Sequence, residues 1–441
     1  VSATAPLAVT GAVLDGETVG LRCVDETIAA LGPEVTPEPG EETIDAAGSP
    51  LVAPLVNGHT HAAMTLFRGY GGDLPLMRWL QEVVWPVEAK LEPEDVYWGV
   101  RLACAEMIRT GTTRFWDMYW HPGATARAVR DAGLRATIGG PLFDADGNTA
   151  TMQETALANL DELADFGPEI GSALAPHAIY TVSEGLLRWT AELAAERKLP
   201  VHIHLSETEQ EVNECLERHR LRPAAYLDRL GVLGERTVLA HGVWLDRAEL
   251  ELIAERGCTV VSNPVANMKL AVGGVFPYPA AREAGAAVGL GTDGPGSNDS
   301  LDLLSDLKAF TLAQRHASRD PTVLPAEEAW QIATGACAPL LTANNPELHQ
   351  ILNPADREFD AVRVGGPGLR VGGAADFLLL RSGSPELSLG DLHSDLVYAA
   401  SGSIVDTTVV GGRVLMRGGE VPGVDEIVAR AVERSRRLGI A

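Results

Sequence analysis

The chain has 441 residues, is 46% hydrophobic, and carries 60 acidic against 35 basic side chains, a net charge of -25. That balance argues against DNA, RNA or an anionic membrane as the main partner and favours a small substrate. Five scattered cysteines with no C-x-x-C argue against a disulfide framework and a thiolate zinc site, and point to a reducing, cytoplasmic setting. No apolar run is long enough to span a bilayer, and no charged segment of the signal-peptide type opens the chain.

Residues 1–53 read as short strands, Leu7–Val13, Val19–Cys23, Thr27–Ala30 and Thr43–Ile44, separated by Gly and Pro turns. From 51 to 345 short apolar segments alternate with amphipathic ones. Strands are expected at 51–57, 112–118, 135–140, 170–176, 200–205, 236–241, 257–263 and 286–292. Helices are expected at Pro93–Thr110, Ala124–Ala132, Gln153–Ala164, Ser183–Arg197, Glu209–Leu230, Arg247–Arg256 and Tyr278–Ala284. Eight strands with intervening helices predict an α/β chain with a (β/α)8 TIM-like barrel; an open doubly wound sheet is the alternative. Strands return at Phe377–Arg381, Val405–Val410 and Arg413–Arg417, followed by a helix at Val424–Leu438. Neither end has enough strands to bury a core alone. Residues 1–53 and 373–441 are therefore expected to pair into one small β-sandwich domain, with 54–345 as the barrel and 346–372 as a linker or loop.

Polar residues collect where those strands end. His59 and His61 share a face at the first strand's end, two residues apart. His177 closes the fourth strand, His202 and His204 the fifth, His241 the sixth and Asp293 the eighth. Barrel enzymes place reacting groups at that rim. Three histidines and an aspartate suit a divalent ion in an open, catalytic site. Pattern alone does not separate His202 from His204; the latter lies nearer the strand end and is preferred as the ligand. His121, His219, His316, His349 and His393 lie in helical or loop contexts. Glu207 follows His204 by three residues and is the acid/base candidate. Metal binding lowers the pKa of water from about 15.7 to about 7, roughly 12 kcal/mol. A positioned acid/base adds roughly 3–5 kcal/mol, so the ion is the larger contributor.

Two motifs mislead. Gly289-x-Gly291-x-x-Gly294 fits a dinucleotide fingerprint but lies at the eighth strand, with no βαβ unit following. The P-C-x-x-C of cytidine-type zinc deaminases does not occur.

With these residues in view, the chain resembles the amidohydrolase superfamily, in the branch of methylthioadenosine/S-adenosylhomocysteine deaminases near the triazine hydrolases. The resemblance runs nearly end to end. It is carried by Gly58-His-Thr-His-Ala-Ala-Met-Thr-Leu-Phe-Arg68, Ala175-Pro-His-Ala-Ile-Tyr-Thr181, His202-Ile-His-Leu-Ser-Glu-Thr208, Leu239-Ala-His-Gly242, Ser262-Asn-Pro-Val-Ala-Asn-Met-Lys-Leu270 and Gly291-Thr-Asp-Gly-Pro-Gly-Ser-Asn298. It implies His59, His61, His204 and Asp293 as ligands of one divalent ion, zinc by preference, with iron or manganese as alternatives. Glu207 would move the proton, His241 would polarise the new oxygen, and Asp293 would serve catalysis as well as the metal. His177 and Ser297 would lie near the substrate. Trp79 and Glu88, in the long loop after the first strand, would cover the purine and hold the ribose hydroxyls.

The implied reaction is addition of an activated water to C6 of a 6-aminopurine nucleoside, with loss of ammonia to give the inosine analogue. Residues 136–150 carry no arginine to clamp an amino-acid tail, which points to adenosine, 5′-deoxyadenosine or methylthioadenosine over S-adenosylhomocysteine. A triazine, chloro-substituted or free-base substrate, or a non-catalytic barrel scaffold, are the competing readings. Relatives lead to the expectation of a homo-oligomer, dimer or tetramer.

Overall fold

The computed structural model describes residues 5–72, 74–343, 369–387 and 390–441. At the start of the chain, β1 (Leu7–Leu14), β2 (Glu17–Val24), β3 (Thr27–Gly32) and β4 (Glu42–Asp45) form a sheet in the order β3-β2-β1-β4. The β1–β2 turn is Asp15-Gly16, both at positive φ (50° and 83°), the backbone that a two-residue hairpin requires. The two-residue β5 (Leu51–Val52) then leads into the central strands.

These are β6 (Leu55–Thr60), β7 (Thr112–Met118), β8 (Arg135–Gly139), β9 (Pro141–Leu142), β10 (Ile170–Ser172), β11 (Ala175–Pro176), β12 (Val201–Leu205), β13 (Thr237–His241), β14 (Thr259–Ser262) and β15 (Ala287–Leu290). Each expected strand region holds one or two of them. They pair in parallel as two four-stranded arcs, β10-β8-β7-β6 and β12-β13-β14-β15, plus the short pair β11-β9. The ladder is thus not one continuous eight-stranded sheet. The fourth region breaks in two, β9 lies just past the end of the third, and the bridge of Leu174 to Val201 joins the arcs on that side. At the opposite seam the Asp293 N–H donates to the His59 carbonyl (3.1 Å), and Asn57 Nδ2 donates to Thr292 Oγ1 (2.7 Å). Gly291 permits that approach: a Cβ there would lie 2.9 Å from the His59 carbonyl oxygen.

The connecting helices follow local signals. Pro93–Thr110 starts with reciprocal capping between Glu92 and Asp95 and stops at Gly111, φ 87°. The helix expected over Glu209–Leu230 is two helices, Glu209–His219 and Pro223–Arg229, because Arg220 turns left-handed (φ 59°) and Pro223 opens the second. Leu303–Ser318 and Ala326–Ala333 are helices that the sequence reading left out. The segment expected as a long loop after the first strand is also helical: Leu76–Trp79, a π turn at Leu80–Val84, and Trp85–Glu88.

Towards the end of the chain, β16 (Phe377–Leu380), β17 (Val405–Val410) and β18 (Arg413–Met416) join β5 in the order β18-β17-β16-β5. Side chains alternate across this sheet. Leu51, Phe377, Leu379 and Val409 share a core with Leu7, Val9, Leu21 and Ile28 of the first sheet. Val52, Leu378, Leu380 and Val410 belong instead to the main core around the central strands. The sheet is therefore a middle layer. The helix Val424–Leu438 packs on Pro93–Thr110, pairing Arg437 with the buried Asp95. Of the linker expected at 346–372, residues 346–368 lie outside the described residues. Among the described residues, no helix is long and apolar enough to cross a membrane.

Candidate active site

Strand ends bring four donors together. His61 Nδ1–H donates to the Met118 carbonyl (2.6 Å) and His204 Nδ1–H to the His177 carbonyl (2.7 Å). Both rings must then turn their Nε2 lone pairs inward, where they face each other at 3.4 Å. Two lone pairs so placed repel unless a cation lies between them. Asp293 Oδ1 lies 3.3 Å from His61 Nε2 and 3.5 Å from His59 Nε2. His59 Nε2 is buried and has no hydrogen-bond partner. Ligand atoms about 2.1 Å from a common centre at tetrahedral angles stand about 3.4 Å apart. The three observed separations match, and the donors fall into two overlapping groups suited to a divalent ion, His59-His61-Asp293 and His59-His204-His241.

Electrostatics favours the ligating forms. Burial pulls His59 down to about 3 and holds His204 well below the usual imidazole range, so both are neutral. Burial alone would raise Asp293, but the close approach of His59 and the neighbouring His61 and His241 outweigh this and hold it below the usual carboxylate range. Asp293 and His241 sit at positive φ (61° and 76°), as does Ser206 (50°), a strained backbone at the rim. Ser297 Oγ (2.7 Å) and the Gly294 N–H (2.8 Å) hold the Asp293 carboxylate.

Beside the donors, Glu207 Oε1 lies 3.9 Å from His241 Nδ1. Burial raises the Glu207 pKa, opposed by His241 and reinforced by Asp293. The N–H groups of Ser206 and Glu207 donate to Glu211 (3.0 and 2.9 Å), fixing the turn that carries Glu207. His241 Nδ1–H donates to Asn267 Oδ1 (2.8 Å). Burial lowers His241, but the charges of Glu207 and Asp293 prevail and its pKa is raised. A carboxyl inclined to keep its proton thus faces an imidazole inclined to gain one.

Above them a pocket opens towards solvent. Trp79, Glu88, His177 and Ser297 all line it. Glu88 accepts from Trp120 Nε1 (3.2 Å), and burial raises its pKa. Phe143 lies between Trp120 (5.6 Å, 17° between planes) and His177 (4.4 Å, 27°). His177 bonds Thr181 Oγ1 through Nδ1 (2.8 Å), and burial lowers its pKa to about 3. Ser297 differs from its expected place near the substrate in one respect: its hydroxyl is engaged by Asp293 Oδ2 and the Gly294 carbonyl (2.9 Å). His202 lies one layer below His204, against His59 (2.9 Å).

His121, His219, His316 and His393 stay outside the cluster, and His349 lies outside the described residues. Sequence reasoning missed Trp120, Phe143, Glu211 and Asn267. Asn267 falls inside the quoted Ser262–Leu270 motif and could have been found there; the others carry no local signal.

This chain belongs to the amidohydrolase family, whose pattern (Amidohydrolase family) matches residues 51–340. Its structural likeness to family members marks an α/β fold of the TIM-barrel type. Among its relatives is a 5'-deoxyadenosine deaminase of Methanoregula boonei, 44% identical over 423 residues, covering 94% of this chain and 90% of the relative. A 5-methylthioadenosine/S-adenosylhomocysteine deaminase of Syntrophobacter fumaroxidans is 40% identical, covering 95% and 91%. Among solved structures, an adenosine deaminase from Xanthomonas campestris with bound zinc superposes with a TM-score of 0.87 at 31% identity, over 100% of this chain and 99% of that one. A triazine hydrolase variant superposes at 0.84 with 21% identity, over 98% of this chain and 100% of that one, a likeness of fold alone.

Proposed function

We propose that this chain is a metal-dependent aminohydrolase that converts a 6-aminopurine nucleoside and water into the inosine analogue and ammonia. The observation that carries the proposal is the buried pair of Glu207 and His241, 3.9 Å apart, on the rim of a donor set fitted to one ion. His59, His61, His204 and Asp293 would hold that ion, zinc by preference, with iron or manganese as alternatives. When bound it supplies a water activated at neutral pH. Glu207 would carry a proton to the purine ring nitrogen, which makes C6 electrophilic, and would then pass the proton given up by the oxygen added at C6 to the exocyclic amine, so that it leaves as ammonia. In its charged form His241, anchored through Nδ1 on Asn267, offers Nε2–H to the oxygen arriving at C6. Trp79 covers the base, Glu88 accepts from the ribose hydroxyls, and His177 lies along the same wall. Ser297 acts through Asp293, which its hydroxyl orients.

The outer wall of Trp120 stacked on Phe143 suits a neutral 5′ group better than a charged amino-acid tail. The relative named for 5'-deoxyadenosine agrees with this, whereas the other is named for S-adenosylhomocysteine as well as methylthioadenosine. An ammonia-release screen over adenosine, 5′-deoxyadenosine, methylthioadenosine, S-adenosylhomocysteine, guanine, cytosine and chloro-triazines tests the proposal. Turnover of a 6-aminopurine nucleoside is expected. Silence on all of them with turnover of a triazine or free base would defeat it.

We further infer a barrel unit at 54–345 flanked by one composite β-sandwich unit from 1–53 and 373–441, supported by the core that the two outer sheets share. A cytoplasmic homo-oligomer, dimer or tetramer, accords with its family and with the free thiols of Cys23, Cys104, Cys215 and Cys258. Light scattering on the purified protein tests the assembly.

A further inference from the structure

His202 is fully buried directly beneath the donor cluster, its Nε2 2.9 Å from His59 Nδ1. His61 and His204 each give their Nδ1–H to a main-chain carbonyl, so backbone alone sets their tautomers. His59 meets a side chain instead. Two proton arrangements fit that contact. If His202 donated, His59 would carry its proton on Nε2, aimed at Asp293 from 3.5 Å. That is beyond the normal hydrogen-bond range, and no lone pair would remain for an ion. If His59 donates, its Nε2 lone pair joins those of His61 and His204, and His202 keeps its own proton on Nδ1. His202 Nδ1 has no hydrogen-bond partner. The Trp116 indole stands perpendicular to the His202 ring, 5.8 Å between centroids, the edge-to-face arrangement in which an N–H can rest against a π face.

We infer that His202 is a positioning residue for the metal site: it accepts the Nδ1–H of His59 and thereby commits Nε2 of His59 to the ion. The inference rests on the metal-dependent reading above. Its acceptor is a neutral imidazole and not the carboxylate or carbonyl usual behind a ligating histidine. The donor set therefore keeps Asp293 as its one negative charge. A buried N–H without a conventional acceptor would be a defect in an ordinary core; here it is the consequence of orienting His59.

Zinc affinity decides the matter, measured by competition with a chromogenic chelator on the parent, His202→Gln and His202→Leu, alongside melting of each metal-free protein. Glutamine offers an acceptor to His59 and a donor towards Trp116, whereas leucine fills similar space and offers neither. His202→Leu is expected to bind zinc about 10–100-fold more weakly, His202→Gln to stay close to the parent, and the metal-free variants to melt alike. Undiminished affinity in His202→Leu, or equal losses in both variants, would overturn the inference. Should His202→Leu not fold, His202→Met carries the same expectation. A parent that takes up no zinc would overturn the metal-dependent reading itself, and this inference with it.

Discussion

Burial raises the Glu207 pKa above the usual carboxylate value, opposed by His241 and reinforced by Asp293, the direction that suits a group exchanging a proton with its substrate. Glu207→Gln retains the shape and removes the titration. It is expected to lower kcat at least about 10³-fold with zinc content unchanged; ammonia release and metal analysis on one sample check this, and a near-parent rate would remove Glu207 from the chemistry. Asp306 is a second buried carboxyl, outside the pocket, accepting from Asn298 Nδ2 (3.0 Å) and the Val265 N–H (3.3 Å). Burial pushes it from 3.8 up to about 8. The folded state therefore holds a proton that the unfolded chain has lost. Its contribution to stability is complete below pH 3.8 and declines as pH rises through about 8, by at most about 1.4 kcal/mol per pH unit. Asp306→Asn should flatten that decline, as read from urea midpoints across the interval; an unchanged slope would exclude Asp306 as its source.

At the scale of elements, a leucine and two glycines set how closely β6 and β15 approach the short helix Pro339–Thr342. A Cβ on Gly58 would lie 2.9 Å, and one on Gly289 2.3 Å, from Leu341 Cδ1. Leu341 thus fills space that the glycines leave open, and Trp116 Nε1 donates to its carbonyl (3.2 Å). Leu341→Ala should destabilise by about 2–5 kcal/mol, seen as a lower urea midpoint with an unchanged m value. Strands and many helices were legible at this scale because their signals are local. Pro93–Thr110, Tyr278–Ala284 and Val424–Leu438 have the boundaries that their apolar periodicity and caps predict. Leu303–Ser318 had the same kind of signal, with Leu303, Leu304, Leu307, Phe310 and Thr311 at helical spacing and Asp302 as cap, and was overlooked. The helical turns at 76–88 were not legible: four-residue helices around a π turn have too little period to read.

Across the whole molecule, the C-terminal sheet is tied to the central strands by Arg135 Nε and Nη2 on the Asp376 carboxylate (2.8 and 3.2 Å). The Gly411 N–H donates to the same carboxylate (2.7 Å). Arg135 is nearly fully buried, so losing the charge opposite it leaves a cation with the more distant Glu26 (3.9 Å) and Glu169. Asp376→Asn should destabilise by about 3 kcal/mol, while replacing both partners by apolar residues of similar volume should recover much of the loss in the same urea titration. A single variant as stable as the parent would show that the sheets are held by apolar contact alone.

Sequence by itself determined most strand positions and the presence of His59, His61, His204 and Asp293 at strand ends, since each depends on residues only a few positions apart. Tertiary structure alone decided depth and partners. His202 and His204 point the same way but stand two residues apart, about 7 Å along the strand, so register against β13 puts His204 beside Ala240 and His202 beside Val238, a layer lower. The meetings of His202 with His59, Ser297 with Asp293 and Trp120 with Glu88 likewise depend on how separate strands and loops are staggered in space. No local pattern encodes that stagger, because it is set by the packing of the whole chain.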